Sequence, residues 1–417
     1  MNIRRLSTAA LLLGLLIMSL APLSAQDEPV TMTMWVRSIN FSVQTLVDEW
    51  NATHDNQIEL TEVPAAEFVT KMGAAVAAGE APDIASIDLI YTPAFASAGQ
   101  LVDLTEYVNA LPYADDLSPA HMTLGEYEGR NYAVPFAAEG SFLIYNVDLF
   151  EQAGLDPENP PTTWDEVLEA ARAITALGDD TYGYYFAGNC AGCNAFTFLP
   201  FIWASGGDVL SEDFSQPTLE EDPAVSEALA LYRTMWEEGL IPEGAIVDGG
   251  ENFTNAFASG TIGMAGTGAF GIDNYKTNYP DLNFDVTYIP GKDGGTASFG
   301  GGDNIGIPTG SEYVEEAWEF IEWTLSEDVQ LELYAGNNQL PVRLSLADNE
   351  YFEEDPRLSL AASTLSVGHT PYSLVYNDLF NDANGPWLLM LQVAIFDGDI
   401  DGAIAEAQQR FSEIMGG

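Results

Sequence analysis

The sequence predicts an α/β protein of two lobes, and three observations carry that prediction. At 417 residues the chain exceeds one ordinary domain, so two cores of roughly 150 to 200 residues each are expected. Its first apolar segments run strand, helix, strand, the order of a parallel sheet covered by helices. Amphipathic helical stretches then recur between short apolar strands to the end of the chain, with no internal repeat and no low-complexity tract.

Residues 1–25 carry Arg4 and Arg5, an apolar run from Leu11 to Leu20 and then Pro22-Leu-Ser-Ala25, the pattern of a secretory signal cleaved after Ala25. The first cysteine is Cys190, so no lipid-acceptor cysteine follows the apolar run, and no later stretch approaches the ~20 apolar residues of a membrane span. The mature chain is therefore expected to be exported, soluble in the periplasm or outside the cell envelope, and not a lipoprotein. Without the signal, ten basic residues face sixty-four acidic ones, a formal charge of −54. Such a field excludes nucleic acid as a partner and disfavours anionic solutes unless a local arginine answers them. With 47% hydrophobic residues, the acidity is the surface of a globular protein rather than a mark of disorder.

Val30, Met32, Met34 and Val36 alternate with Thr31, Thr33 and Trp35, a half-buried first strand opening into Arg37-Ser-Ile-Asn40. The following helix, Ser42 to His54, places Val43, Leu46, Val47 and Trp50 on one face, and QIELTEV at 57–63 is the second strand. In parallel sheets ligands sit beyond the strand C-termini, which puts Arg37 and Asn40 at a cleft; a surface ion pair is the competing role for Arg37. A third strand occupies 82–90 and leads into a short helix from Tyr91, where Asp88 fits a helix N-cap.

The most informative stretch is 126–175. It reads as a strand (NYAVP), a segment FAAEGS, a second apolar strand (FLIYN), a Pro-Pro break and then a helix. That helix has capping-box spacing at Thr163-Trp-Asp-Glu166, with Trp164, Val167, Leu168, Ala171 and Ile174 on one face. Glu139 sits between the two strands beside Ala137, Ala138 and Gly140, small residues that let a solute approach the backbone. It is a candidate acceptor for ligand hydroxyl groups; satisfaction by local backbone N–H groups is the alternative.

Cys190 and Cys193, in an exported chain, are expected to form a disulfide, although so short a loop adds little stability. Zinc would need two more ligands, and His54, His121 and His369 are distant in sequence. Residues 223–238 form another amphipathic helix. For the G-x-G-x-x-G at Gly266, Gly268 and Gly271, Asp285 comes early for the acidic residue ~20 positions on that a dinucleotide site requires. Tyr313, Val314, Ala317, Ile321 and Leu325 mark a late helical face. Asp397-Gly-Asp399-Ile-Asp401-Gly402 matches the first half of a calcium loop, but Gln408 stands where a bidentate glutamate is needed, which favours a polar turn capping the helix 403–414.

Several of these motifs together resemble the family 1 solute-binding proteins of bacterial ABC importers, especially the maltodextrin binders. The matching elements are Gly129, Tyr132 and Pro135 with Glu139 four residues on, L-I-Y-N at 143–146, D-L-F at 148–150, T-W-D-E at 163–166, W-A-S-G-G at 203–207, AFASGTIGMAGTGAFG at 256–271, FGGGDN at 299–304 and L-P-x-R at 340–343. The resemblance spans nearly all of the mature chain. It implies a type II periplasmic-binding-protein-like fold with a ligand cleft between lobes and three hinge crossings, near 138–141, 299–304 and 339–344. The lobes would comprise 26–137 plus 305–341 and 138–304 plus 342–417. It implies a monomer that takes a sugar ligand, needs no cofactor, performs no catalysis and closes on its ligand to present both lobes to membrane permease subunits. Asp88 and Tyr91 fall where the family touches sugar. Asn194 and Phe196 stand where maltodextrin binders carry glutamate and tyrosine, and Phe270 where they carry a stacking tryptophan. Asp303 and Asn304, the former at a frequent tryptophan position, are suited to hydroxyl groups, while the neighbouring glycines could serve close backbone approach at a bend.

Two other readings use the same residues. A secreted glycoside hydrolase would need two carboxyl groups ~5 to 9.5 Å apart, which Asp88, Glu139 and Asp303 could supply. A polyamine binder would use these carboxylates with aromatic caging.

Overall fold

The computed structural model describes residues 28–38, 43–178 and 180–416. The expected signal at 1–25 and the candidate Asn40 lie outside the described residues.

The chain opens as expected: β1 (Thr31–Arg37), α1 (Val43–Thr53), β2 (Gln57–Val63), α2 (Ala65–Ala78) and β3 (Ile84–Asp88). β1 lies between β2 and β3 and is parallel to both. Its alternation is read out faithfully, with Met32, Met34 and Val36 buried and Thr31 and Thr33 exposed. β4 (Ala133–Gly140) and β5 (Phe142–Asn146) follow, then α3 (Trp164–Thr175), β6 (Tyr182–Tyr185), α4 (Ala191–Ala204) and α5 (Pro223–Glu237). β7 (Ile262–Thr267), α6 (Ala269–Asn278), β8 (Phe284–Thr287), β9 (Thr296–Gly306), α7 (Val314–Thr324) and α8 (Ile400–Met415) complete the main elements.

These strands form two main sheets. The larger has seven strands, in which β9 pairs antiparallel with both β3 and β4. The smaller has four, in the order β8-β5-β7-β6. The chain leaves the large sheet at the end of β4, turns through Ser141 and enters the small sheet as β5. Ser141 is pinned there, its N–H donating to Phe299 O at 3.1 Å and its Oγ accepting from Phe299 N at 2.8 Å.

Local chemistry explains the helix ends. Thr163 Oγ1 accepts from Glu166 N, as the capping box requires, but Glu166 reaches one residue further back, to Thr162 N at 2.7 Å. Asp399 caps α8 by accepting from Gly402 N at 3.0 Å. That carboxylate is therefore engaged by its own helix, and Asp397, Asp399 and Asp401 do not form a metal-holding cluster among the described residues. Tertiary packing follows the apolar faces: Trp50 of α1 meets Phe320 of α7 edge-on at 5.3 Å, and Phe198 of α4 meets Trp387 at 5.9 Å.

A short helix, Pro119–Gly125, together with its N-cap Ser118, touches the second and third stretches expected to cross between lobes and the residue just before the first. His121 Nε2 lies 3.2 Å from Ala137 O, Asn304 Nδ2 donates to His121 O at 3.0 Å, and Ser118 N donates to Val342 O at 2.9 Å. Burial pushes the His121 imidazole down to about 4, so it is neutral at neutral pH.

Candidate functional site

A cavity of about 640 Å³ lies where the end of the large sheet faces α4 and α6. Its two walls are chemically unlike. One carries Arg37, Ser38, Asp88 and Gln339; the other carries Cys193, Phe196, Phe253 and Phe270, with Glu139, Gly301 and Phe299 along the floor and Tyr376 and Asn381 beside them.

The charged wall is built by strand ends. Arg37 terminates β1 and Asp88 terminates β3, neighbouring parallel strands, so both side chains emerge at the same sheet edge. Arg37 Nε donates to Asp303 Oδ1 at 2.6 Å, its Nη2 is also paired with Asp303, and Nη2 lies 3.4 Å from Asp88 Oδ2. Burial works against the guanidinium charge, but Asp88 and Asp303 outweigh it and hold its pKa above the ordinary value. Asp88 responds oppositely: burial raises its carboxyl to about 6 despite Arg37. Asp88 also accepts from Ile90 N at 3.3 Å, so it caps the turn and lines the cavity at once.

The other wall is aromatic. Cys193 and Phe196 are three residues apart on α4 and share its cavity-facing side. Phe196 lies 6.1 Å from Phe270 and 5.6 Å from Phe299, and Phe253 lies 6.2 Å from Phe270. Backbone economy keeps the space open: a Cβ on Gly268 would stand 2.8 Å from the Phe270 ring and 3.1 Å from Glu139 Oε2. Gly302 has φ +109° and a Cβ there would meet Ala137 O at 1.9 Å, so the bend beside the cavity needs glycine.

Glu139 sits between the walls, partly buried. Burial raises its carboxyl to about 7, against the opposing influence of the Phe270 and Ala269 N–H groups at the start of α6 and of Arg37. Its Oε2 has no hydrogen-bond partner among the described residues. Helix N–H groups thus favour its charge, while Oε2 is a buried oxygen that no described group answers.

The cavity brings together Arg37, Asp88, Glu139, Phe196 and Phe270. Four other described candidates, Tyr91, Asn194, Asp303 and Asn304, do not line it. Asp303 lies directly behind Arg37, fully buried, with Oδ1 engaged by Arg37 and Oδ2 accepting from Ser86 Oγ at 2.7 Å. Asn304 is a correction: the pairing of β9 with β4 shifts register between Asp303 and Asn304, and beyond that bulge Asn304 is buried against His121 rather than open to a solute. Asn194 is likewise corrected. One residue past Cys193 it is rotated about 100° around α4, and its Nδ2 donates at 2.8 Å to Ala187 O and Cys190 O. Tyr91 adjoins the cavity through Asn381, its hydroxyl donating to Asn377 Oδ1 at 3.4 Å and accepting at 3.3 Å from Nδ2 of Asn381, which does line it. Cys190 and Cys193 are joined by a disulfide. Phe253, Phe299, Gln339, Tyr376 and Asn381 line the cavity without having been expected to. Only Phe299, which abuts the glycine run, carried a sequence signal.

Two α/β bodies framing one cavity, with strand connections running between their sheets, define a cleft-type binding protein. More particularly, the chain belongs to the family of bacterial extracellular solute-binding proteins, whose profile it matches over residues 42–331. It is similar to a binding protein of Brucella abortus, 27% identical over 415 residues that cover 98% of both chains. It is also similar to the diacetylchitobiose binding protein of Streptomyces coelicolor, 24% identical over 331 residues covering 76% of this chain and 75% of that one. Among solved structures, the cyclic alpha-maltosyl-1,6-maltose binding protein of Arthrobacter globiformis is 28% identical, with TM-score 0.80 and coverage of 93% of this chain and 99% of that one. The type II, two-lobed fold follows from these likenesses and from the observed sheets. Among the described residues no helix is long and apolar enough to cross a membrane.

Proposed function

We propose that this chain is the exported component of an ABC importer that captures a sugar, an oligosaccharide or a related carbohydrate, and delivers it to membrane permease subunits without altering it. The lobes are read as 26–137 plus 305–341 and 138–304 plus 342–417, and the protein works as a soluble, non-lipidated monomer after loss of its signal. The observation that carries the reading is the pairing of an aromatic wall with the open oxygen of Glu139. Phe196 and Phe270 would cover the apolar faces of a pyranose, while Glu139, Asp88 and Asn381 would accept and donate along its hydroxyl rim. Three of the similar proteins support it: the diacetylchitobiose binding protein, the cyclic alpha-maltosyl-1,6-maltose binding protein and a maltotriose-binding protein of Pyrococcus abyssi, 25% identical over 324 residues.

Hydrolysis would have to rest on Asp88 and Glu139 alone, because Asp303, the third carboxyl it could use, is buried and engaged by Arg37 and Ser86. A thermal-shift screen with mono- and oligosaccharides tests the proposal against its rivals, with spermidine and an assay for new reducing ends in parallel. A sugar at 100 times its Kd should stabilise the fold by ~2.7 kcal/mol without being cleaved. Stabilisation by spermidine alone, or release of reducing ends, would overturn it.

A further inference from the structure

The disulfide lies in the cavity wall rather than in either core. Cys193 faces the cavity, and one turn further along α4 so does Phe196. On the other side the sulfurs abut a loop that supplies a second aromatic. A Cβ on Gly250 would stand 3.1 Å from Cys190 Sγ and 3.2 Å from Cys193 Sγ, and Gly250 has φ +112°. Three residues later Phe253 reaches the cavity, its N–H donating to Gly250 O at 3.1 Å.

The loop is otherwise held by two carboxylates, Glu251, whose Oε2 accepts from Gly249 N at 3.1 Å, and Asp248. Asp248 Oδ1 accepts from Gly250 N at 3.0 Å and Asn252 N at 3.3 Å, Oδ2 accepts from the Tyr185 hydroxyl, and Asp248 O accepts from Asn189 N at 2.9 Å. Asp248 thus fixes the start of the loop, whereas the sulfurs back its bend. A bridge across two intervening residues constrains the unfolded chain weakly, so global stability is a poor account of its presence. Its position accounts for it better.

We propose that the Cys190–Cys193 disulfide is a positioning element of the ligand site, which clamps the first turn of α4 against the Gly250 bend and so sets the separation of Phe196 and Phe253 across the aromatic wall. This rests on the reading of the cavity as a sugar site. With the sulfurs joined, the bend seats on a fixed platform. With two separate side chains, each free to rotate about its own χ1, the platform is lost and Phe253 is no longer held at one distance from Phe270.

The test compares the oxidised protein with Cys190→Ser/Cys193→Ser, and with wild-type protein reduced by dithiothreitol, which supplies the two electrons and two protons that convert the disulfide to two thiols. Gly250→Ala in the oxidised protein is a third arm, since its methyl group would press on both sulfurs. Amide hydrogen exchange at Gly250, Asn252 and Phe253 should quicken about tenfold in each arm while the Tm moves by no more than a few degrees. Calorimetric titration with maltotriose and diacetylchitobiose should show affinity for whichever binds the oxidised protein falling about tenfold in the same arms.

Unchanged exchange at these amides overturns the proposal, and so does quickened exchange with affinity intact. A general loss of Tm with exchange rising throughout α4 and α5 would make the bridge a stability element and would equally overturn it. If neither sugar binds the oxidised protein, the choice of sugar is wrong, while exchange still decides whether the bridge holds the bend.

Discussion

The two walls of the cleft solve opposite problems. On the sheet side, Arg37 is held between Asp88 and Asp303, and its carboxylate partners are themselves tied to Ile90 N and Ser86 Oγ. That wall arrives with its polar groups answered by the protein. On the helical side, Phe196, Phe253 and Phe270 present ring faces at spacings of 6.1 and 6.2 Å, and Glu139 leaves one oxygen unanswered. The contrast separates framework from receptor. A buried and saturated ion pair fixes where the wall stands, whereas unsaturated groups beside apolar rings are what a solute can still engage.

Removing the framework should have the largest effect. Asp303→Ala leaves the partly buried Arg37 with its more distant carboxylate alone and Ser86 without its acceptor, and breaking a buried pair from one side costs about 3 to 5 kcal/mol. Urea unfolding should show a loss of about 3 kcal/mol or more. A loss below about 1 kcal/mol would mean that solvent already screens the pair, and the contrast between the walls would weaken.

Removing receptor surface should act on binding instead. Phe270→Ala should lower affinity for the sugar found by screening about tenfold, while costing less stability than Asp303→Ala because the ring is only partly buried. The reverse ranking in urea would make Phe270 a core residue.

The smallest effect concerns pH. Glu139 and Asp88 are both raised by burial, to about 7 and about 6, so these two groups hold more protons in the folded chain than in the unfolded chain between roughly pH 4 and 7, whereas buried His121, lowered to about 4, works in the opposite sense. The contribution of the two carboxyls to the stability of the ligand-free protein should therefore decline as pH rises through that window, and comparison with a variant isolates the share of Glu139. Glu139→Gln should flatten the upper part of the decline, because the amide does not titrate; an unaltered Tm-against-pH curve would place Glu139 in solvent rather than in a desolvated cleft.

Much of this arrangement was legible in the sequence where a period or a spacing reported it. β2 has the limits expected for QIELTEV, α3 carries the expected buried face except for a half-buried Leu168, and Glu139 stood out because small residues flank it between two apolar strands. Phase was harder than position. Asn194 lies one residue past cavity-lining Cys193, a step of about 100° around the helix, and Asn304 lies two residues past Gly302 but beyond a register shift that alternation alone does not report. The Arg37–Asp303 pair joins residues 266 positions apart, so no local pattern could announce it. Phe253, Tyr376 and Asn381 come from turns and irregular helical segments, which have no periodicity to betray which side chain faces inward.

The most direct test of the central claim is calorimetric titration of the wild-type protein and Glu139→Gln with the sugar that the screen identifies, with the ligand-free Tm of both measured at pH 7. Hydrogen bonds to charged groups contribute about 1.5 to 3 kcal/mol, so the substitution should weaken binding by about tenfold or more while the Tm changes little or rises. Affinity left intact with a lowered Tm would show that Glu139 serves only the helix beneath it, and would contradict the assignment of this cleft as a site read by its unanswered carboxylate.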